Sequence, residues 1–269
     1  MGPGGDRARR VTKGTYPAGY LEVDYSPAIF PDGHRLAYVR QLSTRDFAVE
    51  NQIFVKSLSA PANAAGTQLL PAAVDYKILS LAVSPDGRGL VVAAQPPPLA
   101  KPQIFSLPLD GGEMTQLTFG AGAASGPEFS PDGRLIVFSE RSHGKGGLLV
   151  IRADGSEPRQ LTRRPGDGAP SFSPSGNRIV FNRHADRRPQ IFSIRADGGG
   201  LTQLTHGDSV NRGPVFSPDG HSIVFSRFAN ATNPDLYTMR PNGAAVRLLY
   251  ASPNRLTSDF GPDWGPRAR

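Results

Sequence analysis

The sequence contains no cysteine. Disulfide bonds, thiolate metal sites and cysteine nucleophiles are therefore excluded. It also lacks an apolar run long enough to cross a membrane, and its first residues, Met1–Arg7, lack the apolar core of a secretory signal. The sequence as written is thus expected to be neither inserted into a membrane nor exported.

Sequence motifs of common enzyme classes are also missing. No Gly-x-Ser-x-Gly nucleophile motif occurs, so a serine peptidase of the α/β-hydrolase type is not expected. The glycine run Asp197–Gly200 is interpreted as a hairpin turn, because no strand-to-helix junction of a phosphate-binding loop surrounds it. The sequence predicts no cofactor.

What the chain does contain is a repeated turn motif, Ser-Pro-Asp-Gly or a close variant. Its prolines, separated by 43 to 54 residues, are Pro31, Pro85, Pro131, Pro174, Pro218 and Pro266. Proline presets φ for the first central position of a type I turn, Asp tolerates the second, and Gly takes the left-handed position that follows. This period indicates a series of copies of one supersecondary unit.

Each unit has the pattern of four short antiparallel strands. An apolar residue precedes the turn, and a β-type run such as Leu135–Phe138 follows it. A further strand such as Gln190–Ser193 leads to an Asp-Gly or Asn-Gly hairpin and then to a Gln-Leu-Thr strand such as Gln203–Thr205. A four-stranded unit of this length is the blade of a β-propeller.

The copies predict an all-β, six-bladed β-propeller. Five blades have all four strands in sequence, and the worn sixth copy around Trp264 would form a composite blade with N-terminal strands such as Gly19–Tyr25. A five-bladed or incompletely closed ring is the alternative. By this scheme residues 1–9 are a flexible segment and residues 10–269 form a single propeller domain.

The segments Pro127–Phe138 and Arg159–Thr162, repeated around Val215–Phe225, resemble the PD40 (WD40-like) repeat of the TolB-like propellers. This family includes the periplasmic translocation protein TolB, propellers of prolyl-oligopeptidase-like peptidases and oligogalacturonate lyases. The resemblance therefore implies a propeller fold more firmly than any one function. It also implies an extracytoplasmic location, which the N-terminus as written does not encode.

The formal net charge is +7, and the placement of the cations suggests a binding surface. The loops after each second strand and before each inner strand surround one mouth of a propeller's channel, where positive potential suits an acidic protein segment. The candidate partner-binding residues are Arg40, Glu140, Arg141, Arg163, Arg164, Arg183, Arg187, Arg212 and Arg227. Nucleic-acid binding is not expected, since the aromatic residues occupy buried strand positions.

The sequence thus favours a monomeric, non-enzymatic scaffold that binds a protein at the channel mouth. The alternative is a carbohydrate-active lyase or hydrolase that uses the same channel. Its metal ligands would be His143, His184 and His206, the only histidines that could gather there. The two remaining histidines, His34 and His221, follow turns on the outer surface.

Overall fold

The computed structural model describes residues 11–12, 21–43, 49–69, 76–98, 100–110, 112–143, 145–185, 187–228 and 234–251. These residues form five four-stranded antiparallel sheets, the blades of a β-propeller. The first strands are β1 (Leu21–Ile29), β5 (Lys77–Val83), β9 (Ala123–Phe129), β13 (Gly168–Phe172) and β17 (Val210–Phe216). The second strands are β2 (Arg35–Ser43), β6 (Gly89–Gln95), β10 (Leu135–Ser142), β14 (Arg178–Ala185) and β18 (Ile223–Phe228). The third strands are β3 (Val49–Ser57), β7 (Gln103–Pro108), β11 (Lys145–Arg152), β15 (Arg188–Arg195) and β19 (Asp235–Met239). The fourth strands are β4 (Thr67–Gln68), β8 (Thr115–Gln116), β12 (Arg159–Gln160), β16 (Thr202–Gln203) and β20 (Arg247–Tyr250).

The prediction of six blades is wrong, because the described residues form five, the number given above as the alternative. The sequence predicts Gly19–Tyr25 as part of a composite sixth blade. Gly19 and Tyr20 lie outside the described residues, and Leu21–Tyr25 begin β1, which pairs with β2 from Leu21 opposite Ser43 to Ile29 opposite Leu36. The segment expected to serve a sixth blade is therefore the innermost strand of the first. Residues 1–9 and the copy around Trp264 lie outside the described residues.

The core lies between the blades rather than within them, since a single sheet cannot bury both faces alone. Between the third and fourth blades, for example, Val137 and Leu148 pack with Phe181 and Phe192. The first strands are innermost, and each contacts the first strand of the next blade from β1 through β17. Since successive side chains of a strand point to opposite faces of its sheet, those of an inner strand pack against the preceding blade and the following blade in turn.

Polar groups also join the inner strands of neighbouring blades. The Tyr25 hydroxyl donates to the main-chain oxygen of Ile78 at 2.6 Å, and its burial raises the pKa of Tyr25 to about 12. The Oε1 atom of Glu128 accepts a hydrogen bond from the main-chain nitrogen of Phe172 at 2.9 Å. These contacts give hydrogen-bond partners to main-chain groups that have none within their own four-stranded sheet.

Inner strands carry a bulge five residues before the repeat proline. The extra residue adopts positive φ at Ser26, Gly126, Ala169 and Gly213, with φ between +47° and +59°. The pairing register shifts at the same places in β1, β9, β13 and β17. A bulge bends the strand and increases its twist, which fits strands at the crowded centre of a propeller.

Candidate functional site

The two ends of the propeller carry different kinds of loop. Since the strands are antiparallel, the loops from second to third strands and the loops between blades share one end, here called the mouth face. The repeat turns and the third-to-fourth hairpins share the other, the turn face. The candidate partner-binding residues belong to the mouth face or to strands that end there.

On the turn face, the repeat motif holds the blades together. The Ser84 hydroxyl donates to Asp86 at 2.5 Å and accepts from the main-chain nitrogen of Gly89 at 3.0 Å. A Cβ atom placed on Gly87 would lie 3.7 Å from Pro31 of the preceding blade, so neighbouring turns are in contact. The same hydrogen bonds recur at Ser130 and Asp132. The repeated Asp residues are therefore structural.

On the mouth side, two repeat positions face each other across the first and second strands of each blade. One lies seven residues before the repeat proline and the other nine residues after it. In the first blade these are Asp24 and Arg40, which form a two-pronged ion pair with N–O distances of 2.7 and 2.9 Å. The Arg40 guanidinium also lies over the rings of Tyr38 and Phe54, and Arg40 is only 8% exposed.

The fourth blade repeats this arrangement with Asp167 and Arg183. Nε and Nη2 of Arg183 donate to the two carboxylate oxygens of Asp167 at 2.7 and 2.6 Å. The side chains of Arg183 and Asp167 are 9% and 0% exposed, and the guanidinium lies 5.3 Å from the ring centres of Phe181 and Phe192. In this structure, Arg40 and Arg183 present no free guanidinium to a ligand.

The fifth blade differs, because Asn211 takes the place of the aspartate. Its Oδ1 accepts from Nε of Arg227 at 2.8 Å, while its Nδ2 donates to Gln190 of the fourth blade at 2.8 Å. Arg227 lies over Phe225 and Tyr237, at 5.4 and 4.8 Å from their ring centres. Burial lowers the pKa of Arg227, and Tyr237 acts in the opposite direction. Arg227 is thus partly buried with a neutral partner.

The remaining two blades have no arginine at this position. The second blade pairs Ile78 with Ala94, both fully buried. The third pairs Ala124 with Glu140, and the Glu140 side chain lies so close to Gly122 that a Cβ there would overlap it. The five arginine-type positions therefore do not form a ring of five exposed charges.

In the fourth and fifth blades, the partner of the arginine differs together with one residue of the preceding blade's third strand, which is Gly147 before Asp167 and Gln190 before Asn211. Thr162 donates its hydroxyl proton to Asp167 at 2.6 Å, because the third blade has Gly147, with no side chain, where the fourth has Gln190. Thr205 donates instead to Oε1 of Gln190 at 2.7 Å. A carboxylate could not donate a hydrogen bond to Oε1 of Gln190, whereas the amide nitrogen of Asn211 does.

The sequence interpretation missed the partners of these arginines, although their spacing in the repeat identifies them. The partners Asp24, Asp167 and Asn211 share one offset from the repeat proline. An alignment of the repeats on proline shows them sixteen residues before each arginine. The sequence interpretation considered only the arginine position.

The other candidate cations are exposed and have no ion pair in the described part of the chain. They are Arg141 at the end of β10, Arg163 and Arg164 between the third and fourth blades, Arg187 in the β14–β15 turn and Arg212 on β17. Arg188, beside Arg187, is also exposed. On the turn face, Arg35, Arg152 and Arg195 each pair with an acidic residue within 3.0 Å, whereas Arg88 and Arg240 are exposed without an ion pair among the described residues.

The three histidines of the enzyme alternative are not assembled into a site. His143, His184 and His206 are each exposed, and the described residues contain no group of three His, Asp or Glu side chains placed to hold a metal ion. Among the same residues, no helix is long and apolar enough to span a membrane.

Comparison with known proteins agrees with this architecture. Residues 162–267 match the family model of the TolB beta propeller domain, PD40. Over 59 residues the chain is 41% identical to the uncharacterized protein Atu1656 of Agrobacterium fabrum, a match that covers 22% of this chain and 20% of that protein. Since so little of that relative is covered, the match carries no activity or partner over to this chain.

Solved structures resemble nearly the whole chain. The protein assigned as a TolB from Agrobacterium tumefaciens is 23% identical with a TM-score of 0.70, covering 85% of this chain and 81% of that one. TolB from Acinetobacter baumannii is 16% identical with a TM-score of 0.62, covering 86% and 69%. An oligogalacturonate lyase in complex with manganese is 14% identical with a TM-score of 0.59, covering 91% and 88%. At these identities the likeness shows the fold alone.

Proposed function

We propose that this chain, whose propeller fold is similar to that of the TolB proteins, is a non-enzymatic scaffold that binds a protein partner through an acidic segment at its mouth face. The observation that carries the proposal is the concentration, on one part of the mouth face, of exposed arginines that have no ion pair in the described residues. Turn-face arginines such as Arg35 and Arg195 are neutralised by aspartates in their own turns. Mouth-face arginines such as Arg163 and Arg187 are exposed without an ion pair in the described residues.

Unpaired cations on one face favour an anionic partner for two reasons. They attract it over several ångströms, which raises the association rate, and no internal ion pair has to break when it binds. A planar guanidinium also binds a carboxylate through two hydrogen bonds, which a lysine cannot do. An acidic protein segment has both the negative charge and the carboxylate groups that such arginines bind.

The proposed surface is centred on the third to fifth blades. It contains Arg141, Arg163, Arg164, Arg187, Arg188, Arg212 and Arg227. Arg40 and Arg183, which the sequence interpretation included, are left out of it, because their charges are already paired with aspartates of their own blades. Glu140, also in that set, lies against Gly120 and Gly122.

Charge reversal tests this proposal directly. The mouth-face variant carries Arg163→Glu, Arg164→Glu, Arg187→Glu and Arg188→Glu, and binding of a fluorescent oligoglutamate peptide is followed by anisotropy. We expect at least about a tenfold loss of affinity, equivalent to ~1.4 kcal/mol, and a wild-type affinity that falls as salt increases.

The matched control reverses an equal number of turn-face arginines, namely Arg35, Arg134, Arg152 and Arg195. It changes the net charge by the same amount on the other face. Equal losses in the two variants would show that binding follows net charge alone, and the mouth-face assignment would then fail. Proteins captured by the wild type but not by the mouth-face variant identify the natural partner.

A further inference from the structure

We infer that Arg227 binds a single carboxylate group of the partner, supplied by an aspartate or glutamate side chain of the acidic segment. This inference rests on the proposed function and adds one defined contact to it. The contact lies at the mouth end of the interface between the fourth and fifth blades, where Arg227 donates to Asn211 and Asn211 donates in turn to Gln190.

The argument begins with the two equivalent arginines. Arg40 and Arg183 each donate from Nε and Nη2 to the two oxygens of an aspartate, Asp24 on the neighbouring strand or Asp167 directly before it. In the fifth blade the amide of Asn211 accepts only from Nε of Arg227. Within the described residues, the Nη groups of Arg227 therefore donate to nothing, and its full charge is uncompensated.

The lack of an aspartate is required by the fourth blade. Oε1 of Gln190 accepts from both Thr205 and Nδ2 of Asn211, at 2.7 and 2.8 Å. A carboxylate at position 211 would place its oxygen against this acceptor and lose that hydrogen bond. Asn211 is fully buried, so the repulsion would not be relieved by water. Since no carboxylate of the described residues pairs with Arg227, its counter-ion can be supplied by the partner.

The guanidinium is held in place for such a ligand. Nε is fixed by Asn211, and the plane lies over the rings of Phe225 and Tyr237. Its burial already lowers the pKa of Arg227, which means that part of the desolvation has occurred before the ligand arrives. A preorganised, partly desolvated cation loses less on binding than a mobile surface arginine.

The charged and titratable neighbours of Arg227 are few. Asp235 lies directly opposite it on β19, but the two side chains form no ion pair. Tyr237 lies two residues further on the same strand, and its ring packs against the guanidinium. Arg212 follows Asn211 on β17 and is exposed, so it adds a second positive charge near the same opening.

Two variants test the inference in different ways. Arg227→Gln removes the guanidinium. The double variant Gln190→Gly with Asn211→Asp copies the Gly147–Thr162–Asp167 arrangement into the fifth blade, so that a carboxylate of the protein itself neutralises Arg227. The second variant keeps the arginine and its ring contacts, which guards against a loss of fold in the first.

The probes are a short peptide with a single glutamate and its glutamine counterpart. In the wild type, the Nε–H signal of Arg227 in a nitrogen–proton NMR spectrum should shift saturably with the glutamate peptide and not with the glutamine peptide. Both variants should weaken oligoglutamate binding by at least about tenfold, whereas a turn-face variant, Arg195→Gln, should not.

The outcomes separate this inference from the proposed function. If the mouth-face charge reversal abolishes oligoglutamate binding but Arg227→Gln and the double variant do not, the proposed function stands and the Arg227 site is refuted. If none of these variants matters, both fail. Arg227-dependent binding of a single-stranded oligonucleotide in place of the peptide would also overturn the assignment to a carboxylate.

Discussion

Replacing Asp167 with alanine is expected to lower the free energy of unfolding by about 3–5 kcal/mol. The reason is that Arg183 would remain buried between two aromatic rings with its counter-ion removed. Removing one partner of a buried ion pair is far more damaging than replacing both, because a desolvated charge is left behind. The Thr162 hydroxyl would lose its acceptor as well.

The measurement is thermal or urea unfolding followed by circular dichroism. For a domain of this size a loss of 3–5 kcal/mol corresponds to a fall in Tm of roughly 6–15 °C. A double-mutant cycle with Arg183→Met then isolates the pair, since the double variant leaves no buried charge and should be more stable than Asp167→Ala alone.

The matched control is Asp197→Ala, which breaks the exposed pair with Arg195 on the turn face, where the two side chains are 65% and 55% exposed. Solvent screens such a pair, so the midpoint should scarcely change. If Asp167→Ala were as mild as this control, Arg183 could not be a buried structural cation, and the case for contrasting it with Arg227 would collapse.

Three further predictions concern the frame that supports the mouth face. Ala169→Gly should stabilise the protein by about 0.5–1 kcal/mol and Gly213→Ala should destabilise it by about 1–2 kcal/mol, because both positions have positive φ. Urea unfolding measures both changes, and changes of the same sign in the two variants would contradict this prediction. Thr162→Val should cost about 1–3 kcal/mol, since the hydroxyl accepts from one buried group and donates to another; a neutral result would contradict its assigned role. Hydrogen bonds from the repeat serines, followed by main-chain donors, lower the pKa of Asp86 and Asp132. Their folded pKa values therefore lie below the unfolded value of about 3.9. The stability that they contribute is present above that value and should be lost as the pH falls through the folded pKa. Replacing Ser84 and Ser130 with alanine should make the free energy of unfolding fall less steeply in acid, and an unchanged pH dependence would refute this prediction.

Much of the fold could be predicted from the sequence because it depends on local chemistry. The turn at Pro131 and Gly133 and the hairpin at Asp154 and Gly155 require particular backbone conformations, and few residues provide them. The limits of the individual blades could be predicted from these two kinds of turn. The blade count did not, because the length of β1 depends on pairing with β2 and not on any residue near a turn.

The candidate site was less predictable, because its character depends on contacts between strands. Arg183 and Arg227 occupy the same place in the repeat, yet one is neutralised and the other is not. The difference lies sixteen residues earlier, at Asp167 and Asn211, and it depends in turn on whether the preceding blade carries Gly147 or Gln190. A single repeat position, read alone, contains no information about this chain of contacts.

The same chain of contacts determines where an acidic partner should lie. A symmetric ring of arginines would place it on the propeller axis, but Arg40 and Arg183 are cancelled by their own aspartates. Among the mouth-face arginines of the described residues, those without an ion pair run instead from Arg141 of the third blade to Arg227 of the fifth. The partner is therefore expected to cross the mouth off the axis, over the third to fifth blades. A spin label on an oligoglutamate peptide should broaden backbone signals of the β14–β15 turn more than those of β6, whereas equal broadening around the mouth would indicate axial binding.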